Sequence, residues 1–194
     1  HVIDENGIHT DPQKISAVTC RSEPRNLTEV RSFLGLTGYY REHIPGYAEM
    51  AEPLHALTKK NMVWQWTDVE QTAFDALKTA MTSSAVLAHP ELGKEGWLVD
   101  TDASAKAMGA VLSQLQSGME KVIQYASKVL QPEQQRYCTT KHELLAATWS
   151  LKTFRHYLQG REVHLRTDHV SVKYWKTMET GMPDSIQRWL QHIS

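Results

Sequence analysis

The sequence is poor in features that anchor whole classes of protein. Only two of its 194 residues are cysteine, Cys20 and Cys138, and no CxxC pair exists. That excludes a zinc knuckle and fits free thiols in a reducing compartment better than a disulfide. No apolar run approaches the roughly 18 residues that a membrane span needs, so no membrane partner is expected. The opening His1-Val2-Ile3-Asp4-Glu5 carries charges where a secretory leader has its apolar core, and there is no initiator Met. It reads as a cut from something longer. Charge of either sign is scarcely in excess: 21 Lys and Arg against 22 Asp and Glu, net −1. This announces no basic face for nucleic acid, although a carboxylate-rich metal site would itself lower the balance. The histidines, among them His142, His156, His164, His169 and His192, show no HExxH spacing. No Tyr-x-Asp-Asp or similar paired-aspartate turn is present for adding nucleotides, and no internal repeat or low-complexity tract is visible.

What is there suffices for a folded chain: 41% of residues are hydrophobic, ordinary for a domain with a core. Val2-Ile3 and Ile8-His9 flank Asp4-Glu5-Asn6-Gly7, a hairpin signal. Asp11-Pro12 predicts a short helix over about 11–20, Asp as cap and Pro in the first turn. Asn26 to Glu29 has capping-box form, and Val30, Phe33, Leu34 and Thr37 follow at helical spacing, predicting a helix to about His43. Helices are also expected from Ala51 to Lys60 and, after the Thr67–Glu70 box, with Ala73, Phe74, Leu77 and Met81 on one face. Residues 24–84 therefore read as all-helical. Beyond Pro90 the pattern changes to strands at 97–102, 108–114 and 122–126. A long helix is expected over 140–158, a strand over 162–167, and a helix over 169–178. Short spacers suggest an antiparallel meander, with the fourth strand rejoining the sheet beside the first.

Three carboxylates stand where elements present them: Asp102 at the end of the first of these strands, Glu143 early in the long helix, and Asp168 after the fourth strand. Clustered carboxylates repel each other unless cations neutralise them, and hard oxygen donors suit Mg²⁺ or Mn²⁺. Each also has a plain structural reading. Glu143 completes a capping box with Thr140, Asp168 could start a helix, and Asp102 could form an Asx turn before Ala103-Ser104. Spacing does not decide between them. The six tryptophans (Trp64, Trp66, Trp97, Trp149, Trp175, Trp189) read as core, with Trp175 a candidate to reach a DNA strand. Lys121, Lys128, Arg155, Arg166 and Lys173 are candidate phosphate contacts. His142 and His169 adjoin the acids, as supporting residues or as phosphate contacts.

The segment Leu98-Val99-Asp100-Thr101-Asp102-Ala103-Ser104, followed by Gly109-Ala110-Val111-Leu112-Ser113-Gln114, resembles the first hairpin of the ribonuclease H domain in gypsy-type LTR retrotransposon polyproteins. Tyr125 to Leu130 is similar to that family's third strand, and Tyr137 through Lys141-His142-Glu143-Leu144-Leu145-Ala146 to the start of its first helix. Phe154-Arg155-His156-Tyr157-Leu158 and Arg166-Thr167-Asp168-His169 complete the ordered set. Upstream, Arg31-Ser32-Phe33-Leu34-Gly35-Leu36-Thr37-Gly38-Tyr39-Tyr40 resembles the thumb helix of these polymerases. The opening hairpin resembles the last strands of the palm.

The resemblance implies an α/β fold: a helical thumb-like segment followed by a ribonuclease H-like mixed sheet with helices, truncated at its C-terminus. Residues 1–22 would be a palm remnant with a primer-grip-like hairpin, 23–90 a helical thumb or connection, and 91–194 an incomplete ribonuclease H-like domain. Asp102, Glu143 and Asp168 match the first three of four metal-binding carboxylates. Asp102 would bridge two Mg²⁺ (or Mn²⁺) ions, with Glu143 on one and Asp168 on the other. Water would attack the scissile phosphate, leaving a 5′-phosphate and a 3′-hydroxyl. The segment that carries the family's fourth acid, of the form Ala-Asp-Ala-Leu-Ser, does not occur before Ser194. Gly35, Gly38 and Tyr39 would follow a template–primer duplex, against an alternative in which Tyr39 is core in a helix–helix contact. Ser104 and His169 would touch nucleic acid beside the acids. The implied partners are an RNA–DNA hybrid, the upstream polymerase palm and fingers, and a dimer mate or other protein that completes the sheet. The implied location is a cytoplasmic retroelement particle, or the nucleus. The competing expectation is a non-catalytic or domesticated retroelement fragment that binds protein or nucleic acid.

Overall fold

A computed structural model describes residues 1–5 and 7–168. The expected 169–178 helix, His169, Lys173, Trp175, Trp189 and His192 lie outside the described residues.

Strands β1 (Val2–Asp4) and β2 (Gly7–His9) pair antiparallel, with Val2 opposite His9. Asp4 Oδ1 accepts from the Gly7 amide at 3.2 Å and contacts the His9 ring at 3.0 Å. Gly7 sits at φ +144°, and a Cβ there would collide with the Leu87 carbonyl oxygen. Only glycine allows this approach. It lets Ile8 N donate to Leu87 O at 2.7 Å and Leu87 N donate to Ile8 O at 3.0 Å.

Helix α1 (Pro12–Thr19) begins as expected, the Asp11 carboxylate accepting from Gln13 N at 2.9 Å. Helix α2 (Leu27–Tyr39) is capped by Asn26, whose Oδ1 accepts from Glu29 N at 3.0 Å. The reciprocal arm differs from a strict capping box, because Glu29 Oε2 accepts from Arg25 N rather than from the cap residue. The helix was expected to reach His43 but stops at Tyr39, and Arg41–His43 forms a 3₁₀ turn. Burial explains the stop: Tyr40 and His43 turn inward, both 1% exposed, and His43 Nδ1 meets Ala85 O at 3.0 Å.

Helix α3 (Tyr47–Leu57) starts four residues before Ala51 and runs through Pro53. Gly46, at φ +65°, supplies the left-handed entry. The early start is held by tertiary bonds, since the buried Tyr47 hydroxyl lies 3.1 Å from Thr37 Oγ1 and Ala48 N donates to Ser127 Oγ at 2.8 Å. Helix α4 (Asp68–Thr82) carries the complete Thr67/Glu70 box, and Ala73, Phe74, Leu77 and Met81 are all buried. One core joins Val18 of α1 to α2, α3 and α4, with the Phe33 and Phe74 rings 4.5 Å apart. Burying each such side chain stabilises by about 1.5–3 kcal/mol.

The sheet has the order β5-β4-β3-β6, from β3 (Trp97–Ala103), β4 (Ala107–Gln116), β5 (Met119–Val129) and β6 (Val163–Arg166). The first three form the expected meander, and β6 returns parallel beside β3. The β4–β5 hairpin is longer than expected. Ser117 and Gly118 both have positive φ (53° and 80°), the signature of the two-residue hairpin turn that continues strand twist. Helix α5 (Thr139–Thr153) and the short α6 (Arg155–Leu158) replace the single helix expected over 140–158. The break falls at Phe154, fully buried against a second core of Trp97, Val99, Leu112, Ile123 and Leu158. Two buried glutamines hold the connecting loop to the sheet. Gln114 Nε2 donates to Glu91 O at 3.0 Å while its Oε1 accepts from Glu91 N, and Gln116 Nε2 donates to His89 O at 2.7 Å.

Candidate metal centre

Two packing relations bring the sequence-predicted acids together. Helix α5 lies on β3 and β4 through a small cluster of Met108, Leu130 and Ala146, with Ala103 and Leu145 beside it. This carries Glu143 to the end of β3. The parallel β3–β6 register sets Asp100 opposite Arg166. Two residues further along each of these two segments stand Asp102 and Asp168. One carboxylate oxygen from each of Asp102, Glu143 and Asp168 lies within 4.8 Å of the others. Glu143 is buried, 4% exposed, whereas Asp102 and Asp168 face solvent. The result is a cluster with a buried floor and an open rim.

The plain readings of two of these residues fail. The cap of α5 is Cys138, which makes no side-chain cap bond, and Glu143 is the fifth helical residue; it does not cap the helix. At the β3–β4 turn the side-chain oxygen that accepts from the backbone is Ser104 Oγ, at 3.2 Å from Lys106 N and 3.0 Å from Ala107 N. Ser104, expected at nucleic acid, thus spends its hydroxyl on the turn. His142 is 6% exposed with Nε2 2.7 Å from Gln134 O. A carbonyl only accepts, so that nitrogen donates, and His142 fastens the 134–136 turn to α5 rather than facing a phosphate.

In α2, Gly35 and Tyr39 share an exposed face, and Tyr39 is 61% exposed, which excludes the reading of Tyr39 as core. Its ring stacks on His1 with centroids 4.9 Å apart. Gly38 points elsewhere, toward the Tyr47 hydroxyl, where an added Cβ would come within 3.3 Å. Trp97 is fully buried and Trp64, Trp66 and Trp149 are partly so, as expected of core residues. Both cysteines are free.

Arg166 corrects an expectation. Among the candidate phosphate contacts, Lys121, Lys128 and Arg155 are exposed, but Arg166 is already taken. Its Nε and Nη2 donate to the two oxygens of Asp100, at 2.7 and 2.5 Å, and Nη1 and Nη2 donate to Glu120 at 2.9 and 2.6 Å. These bonds, to Glu120 first and Asp100 second, push the guanidinium pKa further up. They also hold the Glu120 carboxyl below the usual glutamate range. Sequence reasoning missed this network, although Asp100 and Arg166 each stand two residues before an acid of the cluster. Glu120 stands at the start of β5, 46 residues before Arg166, and left no local signal. A cleft of about 300 Å³ opens beside Asp102, between the sheet and the 45–49 segment that begins α3.

Fold and site define a class: a helical bundle followed by a mixed sheet that gathers three carboxylates where two neighbouring parallel strands end. The family described as RNase H-like domain found in reverse transcriptase matches residues 66–165, and the chain belongs to it. Over its whole length it is 36% identical to the Retrovirus-related Pol polyprotein from transposon 297 of Drosophila melanogaster, across 18% of that polyprotein. It is 31% identical over 99% of its length to the polyprotein from transposon gypsy of the same fly, across 19% of that protein. The Transposon Tf2-3 polyprotein of Schizosaccharomyces pombe is 35% identical over 86% of the chain, across 13% of its own length. The chain thus spans under a fifth of the curated relatives it matches. The fold is that of the foamy viral protease-reverse transcriptase. A structure of its dRH form with ds DNA superposes with a TM-score of 0.83 at 19% identity, over 98% of this chain and 34% of that one. A structure with an RNA/DNA hybrid gives 0.81 at 19% identity, over 99% and 27%.

Proposed function

We propose that this chain is the ribonuclease H part of a retroelement reverse transcriptase, and that it hydrolyses the RNA strand of RNA–DNA hybrids with two divalent cations held by Asp102, Glu143 and Asp168. The observation that carries the reading is the convergence of these three carboxylates within 4.8 Å, with Glu143 buried beneath two exposed aspartates. The donor set fits the ions. All three donors are hard oxygens, their charges repel without a cation, and a donor set of this kind suits Mg²⁺ or Mn²⁺. When bound, such ions lower the pKa of water and stabilise the leaving oxygen of a phosphodiester.

The chain's own residues do the rest. Glu143 fixes the floor of the site because α5 is packed and cannot shift without breaking the Met108–Leu130–Ala146 contacts. Asp102 and Asp168, on the open rim, leave room for a phosphate to approach from solvent. No side-chain nucleophile is required, since water attacks. Substrate would be recognised by its duplex shape and its 2′-hydroxyls rather than by base edges. The foamy viral structures with ds DNA and with RNA/DNA hybrid support a nucleic-acid partner. In the same reading, 1–22 continues a polymerase palm, 23–90 is thumb or connection, and 91–194 is the nuclease region. Gly35 and Tyr39 present an open face to the template–primer duplex, and the enzyme works in a cytoplasmic particle or the nucleus.

The test is cleavage of an end-labelled RNA–DNA hybrid with and without Mg²⁺. The chain cuts the RNA strand only with metal, and Asp102→Asn removes the cut. Metal-independent cleavage, or full activity in that variant, overturns the proposal. A chain that binds hybrid tightly but never cuts it is instead a binding module.

A further inference from the structure

We infer that Arg166, forked between Asp100 and Glu120, is a positioning residue: it locks the β3–β6 register that places Asp168 beside Asp102. The inference rests on the metal reading above but concerns different residues.

Strand β6 has four residues, and β3 is the partner that its register fixes. Short pairing of this kind specifies register weakly unless side chains pin it, and a slip by one residue turns every side chain to the other face. The hydrophobic pattern sets the face only in part: Val163 and Leu165 pack on the second core but stay half-buried, His164 and Arg166 are exposed, and a slip by two residues would keep the same face. The pin is at the end of the strand. Asp100 and Arg166 are directly opposite in the register, and both carboxylate oxygens of Asp100 accept from the guanidinium. Two-point bonding fixes direction as well as distance, which a single ammonium cannot do. Glu120 of β5 accepts from Nη1 and shares Nη2 with Asp100, and so ties β6 across to β5, at the other end of the strand order among the described residues. Asp168 lies two residues past the pin, just beyond the end of β6.

Electrostatics alone predicts the reverse consequence, which makes the idea testable. Arg166 is a cation two residues from a cation ligand. If its charge were all that mattered, removing it would strengthen divalent binding at the cluster. If it positions Asp168, removing it weakens binding, and keeping the charge without the fork, in Arg166→Lys, does not restore it. Supporting groups behind metal ligands are worth about 10–100-fold in affinity.

The experiment measures Mn²⁺ binding to the 194-residue chain by electron paramagnetic resonance, together with amide hydrogen exchange over 163–166 in the metal-free protein. Arg166→Gln and Arg166→Lys should both bind Mn²⁺ about tenfold or more weakly and lose protection in β6, with the melting of the helical core unchanged. Glu120→Gln, which leaves the Asp100 fork, should fall between them and the unaltered chain. It carries the test if the Arg166 variants do not fold. Equal Mn²⁺ binding by Arg166→Lys and the unaltered chain, tighter binding by Arg166→Gln, or unchanged exchange in β6 overturns the inference. Absence of Mn²⁺ binding to the unaltered chain sinks the metal reading instead, and the exchange experiment still decides the register lock.

Discussion

Asp102→Asn should make the metal-free chain more stable and the metal-loaded chain less responsive. The donor oxygens of the three acids lie within 4.8 Å of one another. At that separation a pair of unit charges repels by about 0.9 kcal/mol in a water-like medium and about 3.5 kcal/mol at an effective dielectric of 20. Asp102 and Asp168 are exposed, so their pair lies near the lower figure. Glu143 is buried, so its pair with Asp102 lies higher. Removing the Asp102 charge relieves both pairs, roughly 2 kcal/mol after screening. For a chain of this size each kcal/mol shifts Tm by about 2–4 °C, so the variant should melt about 4–8 °C higher in EDTA. Added Mg²⁺ reverses the order. A ligand at a hundred times its Kd stabilises by about 2.7 kcal/mol, which should raise the unaltered chain by about 5–11 °C and leave Asp102→Asn nearly flat. Differential scanning calorimetry in EDTA and in a Mg²⁺ series reads both effects. A variant that melts lower in EDTA, yet gains as much from Mg²⁺ as the parent, refutes the idea that these carboxylates repel one another and await a cation.

Other consequences follow from single contacts. Gly7→Ala forces a side chain against the Leu87 carbonyl at a φ that suits glycine, so the hairpin should detach. Stability should fall by about 1–3 kcal/mol, seen as lost exchange protection at Ile8 and Leu87. Tyr39→Ala removes an exposed ring, so melting should shift by less than about 0.5 kcal/mol; template–primer affinity should fall about fivefold, the value of a ~1 kcal/mol contact, in a filter-binding titration. The Glu120 carboxyl is held low chiefly by its bond to Arg166. Its folded pKa lies below its unfolded one, so its contribution is full above the ordinary glutamate value and fades as pH falls through and below about 4.3. Urea unfolding should therefore show Glu120→Gln less stable than the parent at neutral pH, with the gap closing in acid.

Much of the fold was legible wherever a local rule acts alone. The Thr67–Glu70 box started α4 where it should, and Ala73, Phe74, Leu77 and Met81 all went inside. The meander and the return of β6 beside β3 were also legible. Element ends set by distant partners were not. Nothing local tells α2 to stop at Tyr39, because the reason is the burial of Tyr40 and of His43 against Ala85. The break at Phe154 and the early start of α3 have the same kind of cause, an aromatic drawn into a core assembled from remote segments. At the site, spacing left Glu143 open between a cap and a ligand, and only family resemblance favoured the ligand. Its burial and its place as the fifth residue of α5 remove the cap. Arg166 was misjudged because a lone basic residue beside an acidic motif looks like a phosphate contact, whereas its partners lie 66 and 46 residues away.

Anomalous diffraction from crystals of the chain grown with Mn²⁺ and an RNA–DNA hybrid whose scissile phosphate is made uncleavable would show whether the three carboxylates hold metal against substrate. Two Mn²⁺ peaks are expected between the scissile phosphate and the carboxylates of Asp102, Glu143 and Asp168. Hybrid seated on the sheet with no peak at these residues, or Mn²⁺ bound only elsewhere, would contradict the metal reading.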